Sequence, residues 1–265
     1  MIRVLLGALA AGIITGLARQ RRMLSASGQW AGFLLGLLSA AAGWVWAALL
    51  AAFFASSTAL TRWREEERVR RTERTVPIGS ERTAYQVMAN GGTFVLLAFL
   101  AQPDGDARWA TGALGALAAA SADSWSTEVG TLLGGTPRSI WTARPVPVGM
   151  SGGVTIAGLV ASIAGATFIA GLGAALLPFR PAHVAIASAA GGITGGIADS
   201  LAGGALQSKR HCDRCQEWTE RRVHACGYRT KHRAGFYWMT NDLVNLVATG
   251  TGAVIAMLIV TWLDR

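Results

Sequence analysis

Two aspartates lie inside segments that are otherwise apolar and rich in small residues. Asp123 lies in a segment that runs from about residue 109 to 133, and Asp199 lies in a second one from about 183 to 207. A carboxylate at the depth of membrane hydrocarbon costs on the order of 2.5–3.5 kcal/mol, so such a residue usually faces a cavity or a partner. The two aspartates therefore predict chemistry within a membrane or at its rim.

Other carboxylate and amide side chains lie near the same ends of apolar segments. Glu128 follows the first aspartate by five residues, Asn90 lies a few residues into an earlier segment, and Asn241, Asp242 and Asn245 open the last one. Carboxylates joined by amide oxygens suit Mg²⁺, which binds through a few carboxylates together with substrate phosphates. These residues also have structural explanations that need no metal. Asp242 would interact favourably with the dipole at a helix N-terminus, and the asparagines could form hydrogen bonds between membrane helices.

A loop rich in glycine and serine, at 134–153, precedes another apolar segment. Backbone amides that enter a helix N-terminus can hold an anion. Ser151, Gly152 and Gly153 are placed for that role, and Arg138 and Arg144 supply positive charge. A simple turn explains the same composition. The loop is not a Walker A motif, because it lacks Gly-Lys-Ser/Thr, and the chain carries no dinucleotide fingerprint.

All three cysteines lie in a basic loop at 207–241. Cys212, Cys215, His224 and Cys226 are spaced as C-x2-C-x8-H-x-C, and they supply four ligands of the kind that structural Zn²⁺ takes. Thiols that pack without a ligand, or that have a redox role, are the alternatives. The Lys and Arg residues of this loop, Lys209 among them, are candidates to bind nucleotide phosphates or anionic lipid headgroups.

Apolar helices must position these groups. Of the 265 residues 52% are hydrophobic and 15% are charged, well below the roughly 25% of soluble domains. We therefore predict an all-α, polytopic transmembrane helical bundle with Gly/Ala-rich packing and about seven or eight spans, which forms a single domain over 1–265. The net charge of +9 does not indicate nucleic-acid binding, because the basic residues flank the apolar segments.

Eight spans are expected, at about 2–18, 29–42, 44–60, 85–101, 109–133, 152–177, 183–206 and 242–263. The second and third share one apolar stretch that Gly43 interrupts. If both cross, 20 of the 24 Lys and Arg residues fall on one side, in the loops 19–28, 61–84, 134–151 and 207–241. The positive-inside rule then predicts a multi-pass protein of the cell membrane, with its N-terminus outside and its basic loops in the cytoplasm.

Several motifs, in a fixed order, resemble a known membrane family. They are Gln86–Gly92, Ala122–Gly130, Val148–Val154, Asp199–Gln207, Cys212-x2-Cys215, Thr219-Glu220, His224-x-Cys226-Gly227 and Thr240–Asn245. Over about 24–260 the chain resembles the integral membrane family of plant phytyl-phosphate kinase and vertebrate transmembrane protein 19. Met150 departs from the pattern, since a small polar residue is more usual there.

The resemblance implies a kinase that converts a membrane isoprenyl or phytyl monophosphate to its diphosphate. Its donor would be a nucleoside triphosphate, with CTP expected, and its cofactor would be Mg²⁺. By the resemblance, Asp123, Glu128, Asp199 and Asp242 form the catalytic site, and the three aspartates hold Mg²⁺. Residues expected to bind substrate or phosphate are Asn90, Ser126, Thr127, Arg138, Arg144, Ser151, Gly152, Gly153, Lys209, Asn241 and Asn245.

Two other classes of function stay open. A transporter or lipid flippase would also use membrane acids, but nearer the centre of the bilayer, and a noncatalytic scaffold would need only the glycine packing. For the kinase, we expect the lipid tail between the glycine-lined helices and the phosphate at the inner rim. The sequence leaves open whether the chain forms a homo-oligomer.

Overall fold

The computed structural model describes residues 2–77, 81–101 and 105–265. Within these residues the chain forms nine α-helices: α1 (Ile2–Gln20), α2 (Ala26–Ala42), α3 (Trp44–Arg62), α4 (Glu65–Thr72), α5 (Ala84–Leu100), α6 (Ala107–Leu133), α7 (Ile156–Leu176), α8 (Pro181–Ala205) and α9 (Asn241–Leu263). Five short strands lie in the loops: β1 (Arg138–Ser139), β2 (Gly153–Val154), β3 (Lys209–Cys212), β4 (Glu217–Thr219) and β5 (Lys231–Ala234).

The all-α polytopic class is confirmed. Eight of the helices coincide with the eight expected spans, and α4 is a short charged helix in a basic loop. By length and composition, five helices of the described residues are suited to cross a membrane, namely α1, α3, α7, α8 and α9, and α5 is a shorter apolar helix. The described spans are thus roughly compatible with the predicted seven or eight.

The first three long helices run back and forth across the bundle. Gly7, near the start of α1, lies against Ala40, near the end of α2, so these helices are antiparallel. Gly43 separates α2 from α3. At the end of α3 the guanidinium of Arg62 donates to the carbonyl oxygen of Arg21, which follows α1. The helix α3 therefore returns to the end of the bundle where α2 begins, as the charge pattern predicts.

The helices α6, α7, α8 and α9 form a tightly packed unit, the C-terminal core. A methyl group added to Gly252 of α9 would stand 2.6 Å from the carbonyl oxygen of Gly115 in α6 and 3.1 Å from that of Gly191 in α8. Three helix backbones thus meet at one glycine. Such close approach is typical of membrane helices, whose association depends on dispersion contacts between small residues.

The two ends of the bundle differ in the length of their loops. At one end α8 meets α9, where Nδ1 of His183 lies 2.7 Å from Oδ1 of Asp264. The connections that follow α1, α3, α6 and α8 lie at the other end of the bundle, here called the loop end. They carry the antiparallel β1–β2 pair and a three-stranded sheet in the order β4-β3-β5. The four basic loops of the sequence therefore share one end of the bundle.

Candidate functional site

Asp123 of α6 and Asp199 of α8 lie side by side, with their carboxyl groups within hydrogen-bonding reach of each other. The packing of the two helices brings them together: a methyl group on Gly196 would stand 3.3 Å from Cβ of Ala122. Both side chains are only partly exposed. Because two ionised carboxylates in contact repel each other, the pair favours a shared proton or a bound cation.

The side-chain amide of Asn245, on α9, faces this pair. Its nitrogen, turned toward α8, donates to Oδ1 of Asp199 at 3.2 Å and to the carbonyl oxygen of Asn241 at 3.1 Å. Turned the other way, its nitrogen donates to Oδ1 of Asn90 at 3.4 Å. In this second orientation the amide oxygen of Asn245 faces Oδ1 of Asp199 and the carbonyl oxygen of Asn241. One polar group, formed by Asn90, Asp199, Asn241 and Asn245, thus joins α5, α8 and α9.

In the second orientation the amide oxygen faces two other oxygen atoms with no hydrogen atom between them, so without a cation the first orientation is favoured. Oδ1 of Asn245 then lies 3.1 Å from the carbonyl oxygen of Asn241 and 3.2 Å from Oδ1 of Asp199. Neighbouring ligands of Mg²⁺ are separated by about 3 Å, given Mg–O bonds of about 2.0–2.1 Å. Binding of Mg²⁺ by these oxygen atoms and the neighbouring carboxylate of Asp123 stays a prediction.

Asp242 does not join this group at ligand distance. Within the described residues, only the Cys/His cluster brings three or more Asp, Glu, His or Cys ligand atoms within 4.8 Å of one another. The partly exposed carboxylate of Asp242 lies in the first turn of α9, where it interacts favourably with the helix dipole. Its role in Mg²⁺ binding stays a prediction.

Glu128 contacts the helices α3 and α4. Its Oε2 lies 2.9 Å from Nε of Arg68, and both side chains are largely buried. Its Oε1 accepts a hydrogen bond of 2.8 Å from the hydroxyl of Thr61. Since breaking a buried pair leaves an uncompensated charge, Glu128 stabilises the loop end between α3, α4 and α6. Its catalytic role stays a prediction.

Two hydroxyl residues between these acids have different surroundings. The exposed Thr127 has its hydroxyl within hydrogen-bonding reach of Asp123. Ser126 instead faces α7, because a methyl group on Gly158 would stand 3.2 Å from its Oγ. Thr127 therefore belongs to the aspartate pair, whereas Ser126 takes part in the packing of α6 against α7.

The loop between α6 and α7 folds over the loop end of α8. Gly153 of β2 pairs with Ser139 of β1. Gly152 has a φ of +79°, and its Cα lies against the backbone of Gly204 in α8, where any side chain would collide. Glycine is therefore required here both for its backbone conformation and for the close approach.

The predicted anion cradle in this loop already holds an acid of the chain. The backbone N–H of Ser151 donates to Oε1 of Glu220 at 2.8 Å, and the side chain of Thr155 caps α7. Arg138 and Arg144 are exposed on the same loop. The arginines are thus accessible to a soluble anion, although one nitrogen of Arg138 donates to the carbonyl oxygen of Ala143, whereas the amide of Ser151 is engaged.

Glu220 is an acid of the loop end that the sequence did not single out as a site residue. Besides the bond from Ser151, it accepts one of 2.9 Å from Nε2 of Gln207, and it interacts electrostatically with Asp199. Burial raises the pKa of Glu220, and the hydrogen bonds from Ser151 partly offset this. In the sequence, only the Thr219-Glu220 motif drew attention to this residue. The spacing of the acids in this long basic loop does not distinguish Glu220 from the others.

Lys209 lies close to Glu220 and to the end of α8. Its Nζ donates to the carbonyl oxygen of Gly204 at 2.6 Å. Burial lowers the pKa of Lys209, while the charge of Glu220 raises it. This lysine therefore ties the start of β3 to the end of α8.

An apolar cavity of about 610 Å³ lies between α1, α2, α3 and α5. Along α1 its lining runs from Gly7 to Thr15, about 12 Å at 1.5 Å per residue, and it continues to Met23 in the loop that follows. At the loop end its lining becomes polar, with Arg62, Arg82 and Asn90. The cavity lies between the N-terminal helices and not within α6–α9, whose backbones are in contact. Four glycines, Gly7, Gly32, Gly36 and Gly91, contribute to its lining.

The predicted Zn²⁺ ligands come together in the loop after α8. The ligand atoms of Cys212, Cys215, His224 and Cys226 all lie within 4.8 Å of one another. Bonding to the His224 ring lowers the pKa of the Cys226 thiol. Bonding to Cys226 raises the pKa of the Cys215 thiol. The four side chains form a candidate tetrahedral metal site.

Comparisons with known proteins relate the chain to membrane proteins. It matches the family described as "Integral membrane protein DUF92" over residues 9–253. It is 32% identical over 234 residues to Protein PGR of Arabidopsis thaliana, an alignment that covers 79% of this chain and 81% of that protein. No solved structure matches the chain.

Two further relatives extend over most of this chain. An uncharacterized membrane protein of Methanocaldococcus jannaschii is 29% identical over 262 residues, which cover 98% of this chain and 95% of that protein. Protein VTE6, chloroplastic, of Arabidopsis thaliana is 28% identical over 257 residues, which cover 89% of this chain and 65% of that protein. The similarity therefore includes both the aspartate helices and most of the loops.

Proposed function

Because the chain belongs to the DUF92 family of integral membrane proteins, we propose that it transfers a phosphoryl group from a nucleoside triphosphate to a membrane isoprenyl monophosphate. CTP is the expected donor, and a phytyl or polyprenyl monophosphate is the expected acceptor. The contact of Asp123 with Asp199, beside the amide of Asn245, carries the proposal. The motifs that resemble those of phytyl-phosphate kinase support the class of reaction.

In the proposed reaction, an oxygen of the acceptor's phosphate attacks the γ-phosphorus of the donor. The bond between that phosphorus and the β-phosphate oxygen breaks, and the nucleoside diphosphate leaves. A phosphate monoester has a second pKa of about 6, so the acceptor is mostly a dianion at neutral pH and needs no general base. Catalysis then rests on positioning the two phosphates and offsetting their charge.

The aspartate pair serves this need as a cation site. Mg²⁺, when bound by Asp123, Asp199 and Asn245, neutralises charge on the phosphoryl group during transfer. The hydroxyl of Thr127 orients Asp123. Arg138, exposed on the β1 strand, meets the donor's phosphates from the solvent side. We further propose that this loop end faces the cytoplasm, where nucleotides are available.

The apolar cavity suits the isoprenoid tail. Its walls are mostly apolar, and α1, α2, α3 and α5 all contribute to them. Asn90 lines its loop end and also contacts Asn245, so a tail in the cavity places its phosphate next to the aspartate pair. Arg82, which lies over the ring of Phe54 with 5.8 Å to the centroid, supplies a cation for that phosphate.

The test is a phosphotransfer assay on the purified full-length protein. Phytyl or farnesyl monophosphate is incubated with Mg²⁺ and each of CTP, ATP, GTP and UTP, and diphosphate formation is measured. We expect product with at least one pair. Asp123→Asn is expected to lower the rate roughly 100- to 1,000-fold, because it removes an electrostatic contribution to the transition state.

Asp264→Asn is the matched control, since Asp264 pairs with His183 at the opposite end of the bundle. This variant is expected to keep the wild-type rate. Absence of diphosphate with every pair would contradict the proposal, and so would a full rate in Asp123→Asn. Nucleotide-independent movement of lipid in vesicles would favour a flippase instead.

A further inference from the structure

The Cys/His cluster lies in a part of the loop that the proposed reaction does not use. Cys212 ends β3, and Cys215 lies in the turn that leads to β4. A second tight turn carries His224 and Cys226, and it is closed by the N–H of His224, which donates to the carbonyl oxygen of Tyr228 at 2.9 Å. Two turns from separate stretches of chain thus present their ligand atoms to one point.

The distances within the cluster match tetrahedral zinc. The Sγ atoms of Cys212 and Cys226 are 3.7 Å apart, and ligands with Zn–S bonds of about 2.3 Å are separated by about 3.8 Å. Nδ1 of His224 lies 3.3 Å from Sγ of Cys226. All three cysteines are free thiols. The arrangement therefore provides three sulfur ligands and one nitrogen ligand without a rearrangement of the chain.

The histidine is also supported from its other side. The ring of His224 is 2% exposed, and its Nε2 lies 3.2 Å from Oε2 of Glu217 on β4. Histidines that bind a metal generally present their second ring nitrogen to a carboxylate or a carbonyl oxygen, which fixes the ring and its tautomer. The position of Glu217 is a second observation that points to Nδ1 as a metal ligand.

We propose that Cys212, Cys215, Nδ1 of His224 and Cys226 bind one structural Zn²⁺. Four protein ligands leave no open position, which is typical of structural rather than catalytic zinc. The ion joins the β3–β4 hairpin to the turn at 223–229, and so it fixes the sheet that lies above the aspartate pair.

The sheet in turn holds the neighbouring loops. The hydroxyl of Thr219 donates to the carbonyl oxygen of Arg74 at 2.8 Å, and the N–H of Glu220 donates to that of Thr75 at 2.7 Å. The side chain of Glu220 also accepts the N–H of Ser151. The zinc-bound sheet therefore joins the loops that follow α3, α6 and α8 into one structure.

Metal analysis of the full-length protein in detergent tests the site. Protein from zinc-supplemented cells, purified with a reductant, is expected to hold one zinc ion per chain. Cys226→Ser and Cys212→Ser are each expected to lower the zinc content at least about tenfold, because structural sites depend on the complete ligand set. After exchange with Co²⁺, the protein is expected to show thiolate-to-cobalt absorption that Cys226→Ser lacks.

His232→Gln is the matched control, because His232 lies on β5 of the same sheet but outside the cluster. It is expected to keep its zinc. Chelation is expected to speed tryptic cleavage within 207–241 while the helical circular dichroism stays unchanged. Protein without zinc despite intact, reduced cysteines would overturn the proposal, and so would zinc retained by the Cys212→Ser, Cys226→Ser double variant.

Discussion

The C-terminal core, α6–α9, and the N-terminal layer, formed by α1, α2, α3 and α5, differ in how closely their helices pack. In the core, backbones touch at Gly252, and the side chains of Asp123 and Asp199 are held in contact. The N-terminal layer instead encloses an apolar cavity of about 610 Å³. Rigid backbone contact fixes the positions of charged groups, and looser packing leaves room for a flexible apolar molecule.

This difference suits the proposed function, which needs both a cation site and space for a lipid tail. A cation site must hold its ligands within a few tenths of an ångström, which requires neighbours that do not move. A lipid tail makes non-directional contacts that vary with its length and conformation. Asn90 of α5 links the two regions, because it lines the cavity and also contacts Asn245 of the core.

The largest effect is expected from breaking the close contact in the core. Gly252→Leu would drive a side chain into the carbonyl oxygens of Gly115 and Gly191. Overpacking costs typically 1–3 kcal/mol, and a clash with fixed backbone falls at the upper end, so we expect a loss of about 3 kcal/mol and no activity. Thermal unfolding in detergent, followed by tryptophan fluorescence, measures the change.

Gly250→Leu provides the control within the same helix. Among the residues that the structure describes, nothing lies within 4 Å of a methyl group added to Gly250, so this variant is expected to unfold at the wild-type temperature. Equal destabilisation by the two substitutions would show that helix propensity, rather than interhelical contact, sets the stability of α9. In that case, close packing would not distinguish the C-terminal core from the N-terminal layer.

The sequence predicted the helices and the residues of the Cys/His cluster better than it predicted which side chains from distant parts of the chain contact each other. Hydropathy and loop charge place α2 and α3 as separate crossings, because a single helix would put basic loops on both sides. The cysteine spacing predicts the cluster, since its ligands lie close in the chain. Glu128 is different: its pairing with Arg68 depends on how α4 packs against α6, which no local pattern encodes.

The location of empty space is also hidden from the sequence. Glycine-rich helices suggest room for a ligand, but small residues in membrane helices permit closer packing rather than cavities. In the N-terminal layer, small residues such as Gly32 and Gly91 instead line a cavity, beside larger ones such as Phe53 and Phe54. Volume depends on how helices are spaced, and spacing is a property of the assembled bundle.

A smaller effect is expected from filling the cavity. Ala47 lines it from α3, so Ala47→Trp is expected to exclude part of the isoprenoid tail. We expect the KM for phytyl monophosphate to rise about tenfold, since the loss of a few apolar contacts costs on the order of 1–3 kcal/mol. The KM for isopentenyl monophosphate, which has a much shorter tail, is expected to change little.

Ala48→Trp is the matched control, because Ala48 is exposed about 100° around α3 from Ala47 and is not among the described residues that line the cavity. It is expected to keep both KM values. A rise in KM for the short and the long acceptor alike would indicate distortion of the site rather than loss of tail contacts, and the cavity would then have no role in substrate binding.

The smallest effect is expected at Glu220, which connects the loops to the loop end of the core. Burial raises its pKa in the folded chain, so folding favours the protonated form. The stability that the proton provides is fully present below the ordinary pKa of the carboxyl, and it is lost as pH rises through the raised pKa. At neutral pH the charge of Glu220, which interacts with that of Asp199, therefore opposes folding.

Glu220→Gln removes this charge and keeps an oxygen that accepts the N–H of Ser151. Its new amide group replaces Oε2, to which Nε2 of Gln207 donates, so Gln207 must turn its amide over and present Oε1, which is buried and finds no hydrogen-bond partner among the described residues. We expect the variant to unfold about 2 °C above the wild type at neutral pH, with a difference that shrinks as pH falls. A lower unfolding temperature at every pH would mean that the ionised carboxylate, through Lys209 and Gln207, stabilises the loops instead.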